Sequence, residues 1–406
     1  MSEKPIIAST RRAFLRGSAA AASLAGTAAC SHPERQPPVP LNRTGQASVL
    51  GIPNERFFPA MGIGPLEAEF AAAMMRQMRA RGITGVAQMP QLQMLAISGG
   101  GENGAFGAGL LCGWSAQGTR PTFDLVTGIS TGALSAPFAF LGPAYDPQLR
   151  AVYTETSADR ILAKRGITAA IFDDAMADNA PLLATISQYV NDQLLVAIAK
   201  AYDEGRLLLI ASTDLDAQVP VIWNIGAIAK SGHPRAADTI RRVLLASAAI
   251  PGAFPPTMVE VTLDGKTYQE MHVDGGAVAQ TFLYPSALTR NREQRRRAGQ
   301  PVVEARAYII RNGRLDPEWS VVERQTLGIV GRAISTMIAV SGLNDVIRIY
   351  NTTQRDGVDF NLAFIGRDFN KVLPGPFDRA YMQALFDYAY QQAVHGYHWA
   401  KRPPGV

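Results

Sequence analysis

The chain has 406 residues, 47% of them hydrophobic and 18% charged, proportions that exclude a disordered chain and allow a large core in one or two domains. Its net charge of +5 invites a nucleic-acid partner, but Lys4, Arg11, Arg12 and Arg16 against Glu3 place +3 of it in the first 29 residues. The rest carries too little charge for a global basic field that grips phosphates, so no nucleic-acid partner is expected.

Residues 1–30 explain their own charge. In STRRAFLRGSAAAASLAGTAAC, Arg11-Arg12 lead Phe14-Leu15 and an Ala-rich, mildly apolar stretch. The pattern resembles a twin-arginine export signal; a plain N-terminal helix is the alternative. The small residues ahead of Cys30 resemble a bacterial lipoprotein cleavage site with Cys30 as the lipidated residue, although Thr27 stands where such sites favour Leu. Simple cleavage and a retained N-terminal anchor stay open. The expected location is a bacterial cell envelope, in the periplasm or anchored to a membrane. Residues 31–60, with HPERQPPVP, read as a Pro-rich tether, and 61–92 as a helical lead-in. Within the lead-in, LEAEFAAAMMRQMRA (66–80) repeats Leu66, Phe70, Met74 and Met78, and Gly82 stops the helix. That stripe reads as core packing, with a lipid-contact face as the alternative.

Next come apolar runs at 93–98, 123–129, 206–213 and 305–311, whose lack of alternation suits strands buried on both faces. Helical stretches between them predict crossovers, hence an α/β fold with a mostly parallel sheet flanked by helices. Cys112 lies in an apolar run and reads as a buried small hydrophobe. Without a free Cys30 the mature chain has no partner for it, so no internal disulfide is expected. RNREQRRR (290–297) is the one basic cluster, a solvated face or a site of attraction to anionic lipid head groups. The run 326–343 has the length of a membrane span but contains Arg332 and two serines, and reads as a buried helix. Residues 313–406 read as a mainly helical extension packed on the same core. No internal repeat is visible.

The chemistry gathers in three places. Gly99-Gly100-Gly101-Glu102-Asn103-Gly104 follows a strand and opens a helix, which points backbone N–H groups at one spot. Gly99, Gly101 and Gly104 also fit the G-x-G-x-x-G of dinucleotide sites, with Asp124 at the right distance downstream. The next strand shifts the balance. Gly128-Ile129-Ser130-Thr131-Gly132 is the G-x-S-x-G of a nucleophile elbow, with a strand before it and a helix-compatible stretch after it. A serine nucleophile needs a base. His233, His272, His395 and His398 are available, but Asp274, followed by Gly275-Gly276, is an acid presented on a tight turn; its plain reading is a turn cap.

A glycine loop, G-x-S-x-G about thirty residues on and a distant D-G-G together resemble the patatin-like phospholipase family. ASAAIPGAFPP (246–256) and STDL (212–215) are similar to stretches of that family, and the resemblance covers roughly 93–312. It implies a Ser-Asp dyad on an α/β fold and acyl hydrolysis of lipids, with Ser130 as nucleophile and Asp274 as base. Gly99, Gly100 and Gly101 would form the oxyanion loop that Gly104 ends. It further implies a lipid or ester substrate, work at a membrane surface, no cofactor, no metal and no obligatory protein partner. Two positions depart from the family: Ser98 where many members carry an acid, and Asn103 where many carry a base. The rival readings are a lipid-anchored binding protein that kept the fold without turnover, and a nucleotide-binding oxidoreductase.

Overall fold

The computed structural model describes residues 35–164, 175 and 177–406; the export signal and Cys30 lie outside them. All four apolar runs form strands of one nine-stranded sheet. In chain order the strands are β1 (Arg56–Phe57), β2 (Leu92–Ile97), β3 (Leu125–Ile129), β4 (Leu207–Asp214), β5 (Val219–Asn224), β6 (Thr257–Leu263), β7 (Lys266–Asp274), β8 (Ala305–Arg311) and β9 (Asp359–Phe364). Strands β4, β3, β2, β8 and β9 lie side by side in that order, all parallel. The class is α/β, a mostly parallel central sheet flanked by helices. On β2, Leu95 and Ile97 enter one apolar core while Met94 and Ala96 enter another on the opposite face, which is why the run shows no polar alternation. Antiparallel β5 and β1 close one edge, and the hairpin β6–β7 joins the end of β4.

The helices that matter here are α1 (Gly64–Arg81), α2 (Gly104–Gln117), α3 (Thr131–Leu141), α4 (Ala236–Ser247), α5 (Arg290–Arg297), α6 (Thr326–Asp356) and α7 (Arg379–Val394). Helices α2 and α7 approach so closely that a Cβ on Gly109 would sit 2.1 Å from the Phe386 carbonyl oxygen. Cys112 is buried in α2, and burial pushes its thiol up to about 12.

Three expectations are corrected. Residues 31–60 read as a tether, but the part of that stretch described lies on the domain: Val39, Val49, Leu50, Phe57 and Phe58 are buried, and Ser48 bridges Thr262. The face of α1 is rotated from its apolar stripe. Its buried line is Leu66, Glu69, Ala73 and Gln77, with Phe70, Met74 and Met78 half-buried beside it. Glu69 accepts hydrogen bonds from the Tyr202 hydroxyl (2.9 Å) and Asn54 (2.7 Å), and Gln77 donates to Asp124 (3.0 Å). A search for apolar periodicity passes over polar residues that are buried with partners.

The third correction is the largest. The run 326–343 is helical but not buried. Helix α6 has 31 residues, and only from Gly342 onward do its side chains enter the protein, through Asp345, Val346, Ile349 and Thr353. At 1.5 Å per residue it is about 46 Å long, roughly twice the length of the strands it runs back along. The excess has no sheet to lie on. No helix among the described residues is long and apolar enough to cross a membrane.

Candidate active site

Strand β3 pairs with β4 as far as Ile129 opposite Ala211. The other edge of β4 belongs to β5. From Ser212 onward the neighbour on the β3 side is therefore β7, whose last residue, Asp274, lies opposite Ser212. The two strands meet end to end, and the residues at the seam are Ser130 and Asp274.

Ser130 stands between β3 and α3 with φ 55° and ψ −127°, a conformation that a non-glycine residue adopts only when its surroundings enforce it. Close packing does so. A Cβ on Gly128 would sit 2.6 Å from the Gly132 carbonyl oxygen, and one on Gly132 would sit 2.3 Å from that of Ile97. Ser247, at the end of α4, accepts the Ser130 N–H (3.0 Å) and donates to the Ala211 carbonyl (2.7 Å). The ASAAIPGAFPP stretch thus clamps the elbow.

Asp274 is buried; its Oδ1 accepts the Gly276 N–H at 2.7 Å. The Ser130 side chain faces the carboxyl group closely enough to favour its charged form, yet desolvation outweighs both and pushes the carboxyl up to about 7. Gly275 touches the seam, since a Cβ there would meet the Ala211 carbonyl at 2.6 Å. His272 lies two residues away, but its Nδ1 pairs with Ser212 Oγ (2.9 Å) and its Nε2 with Glu270 (3.0 Å). Glu270 is in turn ion-paired with buried Arg56, whose charge is a main cause holding it down at about 2. Asp214, Glu270 and His272 lie close enough to hold a cation, but Glu270 is already paired with Arg56. The network braces the strand end beneath Asp274.

In the glycine loop the three N–H groups differ. Gly99 donates to the Gln280 carbonyl (3.0 Å) and is occupied. Gly100 and Gly101 find no acceptor among the described residues. A Cβ on Gly100 would come 2.0 Å from the Asn312 carbonyl oxygen, whereas Gly101 faces open space with φ 56°. Gly104 sits at the start of α2, where any Cβ would strike Thr131 Oγ1 at 2.1 Å; it serves packing. Ser98 accepts the Asn312 N–H (2.8 Å). Arg311, buried behind the loop, donates to the Gly99 carbonyl (3.1 Å), and burial lowers its guanidinium to about 10. The Gly99 carbonyl and the Gly100 N–H are two ends of one peptide, so a charged donor on the first strengthens the second. Asn103 instead accepts from the Tyr381 hydroxyl (2.8 Å). Gln280, Arg311 and Asn312 had no part in the sequence reading, and Ser247 entered it only within the stretch 246–256; the signal for Arg311 and Asn312 was a pair of polar residues where the apolar run 305–311 ends.

Beside Ser130 opens an apolar slot lined by Leu134, Phe138, Ile186, Leu244, Ile250 and Met382, with Gly101 and Ser130 also in its wall. The remaining histidines are elsewhere. His233 precedes α4, a twelve-residue helix away from Ser247. His395 caps α7 and His398 lines a depression with Arg306 and Asp359, at the opposite edge of the sheet. Asp124 also lies at that opposite edge, ahead of β3, and bonds the Gln93 N–H (2.8 Å), Gln77 and Arg81. It is far from the glycine loop and cannot hold a ribose there.

Residues 95–285 match the family described as patatin-like phospholipase; the match includes both Ser130 and Asp274. Members of that family hydrolyse lipid acyl esters. No curated protein matches the chain. Among solved structures, VipD from Legionella pneumophila is similar at a TM-score of 0.35 and 11% identity, over 76% of this chain and 67% of that one.

Proposed function

We propose that the chain is a serine hydrolase of lipid carboxylic esters, with Ser130 as nucleophile and Asp274 as general base. The observation that carries this reading is the seam: a strained serine facing a desolvated carboxyl group, beside two free N–H groups and an apolar slot. The acyl chain lies in the slot and its carbonyl oxygen against Gly100 and Gly101. Ionised Asp274 accepts the Ser130 proton as Oγ bonds to the carbonyl carbon. Collapse of the tetrahedral adduct expels the alcohol, which takes that proton. Water, giving a proton to the same carboxylate, then bonds to the acyl carbon; as the bond to Ser130 Oγ breaks, that oxygen takes the proton back and the fatty acid leaves. Phospholipids, lysolipids and acylglycerols all present such a bond.

The test is a pH profile on a short nitrophenyl ester. A base must be ionised, so with its pKa near 7 the rate rises with pH through that value and levels off above it. At pH 5 the rate is expected to be roughly a hundredfold below the plateau, two pH units under the pKa. A rate constant from pH 5 to 8 removes Asp274 from the base role. Ser98 and Asn103 favour a second reading, a lipid-binding protein without turnover. A fluorophosphonate probe separates the two, because only an activated serine is labelled.

We also place the protein in a bacterial cell envelope through twin-arginine export. Arg11→Lys with Arg12→Lys is expected to leave precursor in the cytoplasm; unchanged export refutes the route. If Cys30 is lipidated, Cys30→Ser shifts the protein from the membrane fraction to the soluble one.

A further inference from the structure

The exposed half of α6 is one-sided. At 100° per residue, Ile329, Val330, Ile334, Met337, Ile338 and Val340 share about half the circumference, and all are exposed. Gly328, Gly331, Arg332, Ser335 and Ala339 occupy the other half. On that second face Arg332 donates to the Glu318 carbonyl and Gly328 lies against the Glu323 backbone, while Gly331, Ser335 and Ala339 are exposed; the two halves differ in polarity rather than in burial. The segment leading into the helix touches the small, polar face at these two residues. It carries Trp319, Val321 and Val322 outward, with Trp319 88% exposed. The apolar face is covered by no described residue, and Arg332 is the only charged residue from 325 to 344.

The overhang also has a definite place. Strand β8 ends at Arg311, which bonds the glycine loop. Helix α6 then returns antiparallel to the strands to begin β9, parallel to β8. Its surplus length must therefore extend past the edge of the sheet where Ser130 and Asp274 meet. Its root touches the site: Gly342 packs on the Arg311 guanidinium, and Asp345 accepts the N–H of Gln280 (2.6 Å), whose carbonyl holds Gly99. Fifteen or so helical residues, about 24 Å, project from beside the glycine loop.

We propose that this arm, residues 319–340, docks the protein onto a phospholipid surface, its apolar face sunk to the depth of the head groups and upper acyl chains. The occupant is a lipid surface because the arm projects from the same edge of the sheet as the Ser130–Asp274 seam, and because its exposed Trp319 stands beside an apolar helical face that carries no charge, the pairing found at membrane interfaces. Docking is apolar, not electrostatic. The basic helix α5 packs against the other end of α6, with Arg292 bonded to the Asp356 carbonyl and Arg296 to that of Arg355, and contributes no residue to the apolar face. The proposal rests on the lipid-ester reading for its purpose but not for its test.

The test uses the full chain with Ser130→Ala and Cys30→Ser, so that neither turnover nor a lipid anchor contributes. On adding neutral phosphatidylcholine vesicles, Trp319 emission is expected to shift blue and intensify, and Trp319→Phe to remove that change. Ile334→Asp with Met337→Asp is expected to weaken vesicle binding tenfold or more. In an otherwise native chain the same pair leaves hydrolysis of a soluble short ester unchanged and lowers hydrolysis of vesicle lipid. Absence of vesicle binding, or binding that the two aspartates do not weaken, overturns the proposal. So does binding that requires anionic lipid and is lost on neutralising Arg295, Arg296 and Arg297. A dimer by light scattering that the two aspartates dissociate would assign the face to a second copy instead. Vesicle binding with no ester hydrolysis would leave the arm standing and refute the enzymatic reading.

Discussion

Ser130→Ala and Asp274→Asn are each expected to abolish ester hydrolysis while the protein stays folded. A nucleophile and its base act as a unit, and loss of either typically costs on the order of 10⁴-fold or more in turnover. The seam explains why the effect should be confined to chemistry: neither side chain holds β3, β4 or β7 together, which is done by the ladder and by Ser247. Histidine variants give the contrast. His233→Ala, His395→Ala and His398→Ala should keep most of the turnover, since the described structure sets all three away from Ser130. His272→Ala should lower stability instead, because it removes one buried hydrogen-bond partner from each of Ser212 and Glu270. A basic limb near 7 does not by itself distinguish the carboxyl from an imidazole, so the variants decide. Asp274→Asn also has a thermodynamic signature. A folded pKa raised from 3.8 to about 7 means that the native state holds a proton the unfolded chain has released. This favours folding below pH 4 to 5, and the advantage disappears as pH rises to 7 and above. The melting temperature of Asp274→Asn should therefore exceed that of the wild type at pH 8, and the difference should shrink towards pH 5. A folded, fully active Asp274→Asn protein, or a folded and inactive His395 or His398 variant, would replace the dyad with a histidine-based triad.

The second large effect is expected at Gly100. Its N–H is one of two in the loop with no acceptor, and a methyl group there meets backbone, the Asn312 carbonyl oxygen at 2.0 Å, which cannot rotate aside. Gly100→Ala must displace the loop and carry its donors away from the seam. Removing one oxyanion donor costs about 2.7–4 kcal/mol of transition-state stabilisation, or 10²–10³ in kcat. The loss should fall on kcat rather than KM, because the donors meet charge that develops only in the transition state. Arg311→Met should reduce kcat in the same sense by a smaller factor, by withdrawing charge from the Gly99 peptide. A Gly100→Ala protein with near-native kcat would show that the oxyanion is held elsewhere.

Much of this was legible in the sequence because it depends on local chemistry. Three bare residues after an apolar run fix a turn around which backbone can be approached closely. Gly128 and Gly132 around Ser130 fix a sharp strand-to-helix elbow, and uninterrupted apolar runs fix strands covered on both faces. Those features yielded the α/β class and the residues worth watching. What the sequence could not hold is any property that depends on a distant neighbour. Ser130 and Asp274 meet only because β7 takes the place of β3 along β4, an exchange made across 144 residues of chain. The Asp274 pKa follows from the walls around it, not from the residues beside it. Gly99 looks like its neighbours until Gln280 claims its N–H. The stripe on α1 and the apolar run of α6 went astray for one shared reason. Periodicity records the polarity of a side chain, whereas burial depends on whether another element lies within reach: Glu69 and Gln77 found partners, and the first half of α6, longer than the sheet beneath it, did not.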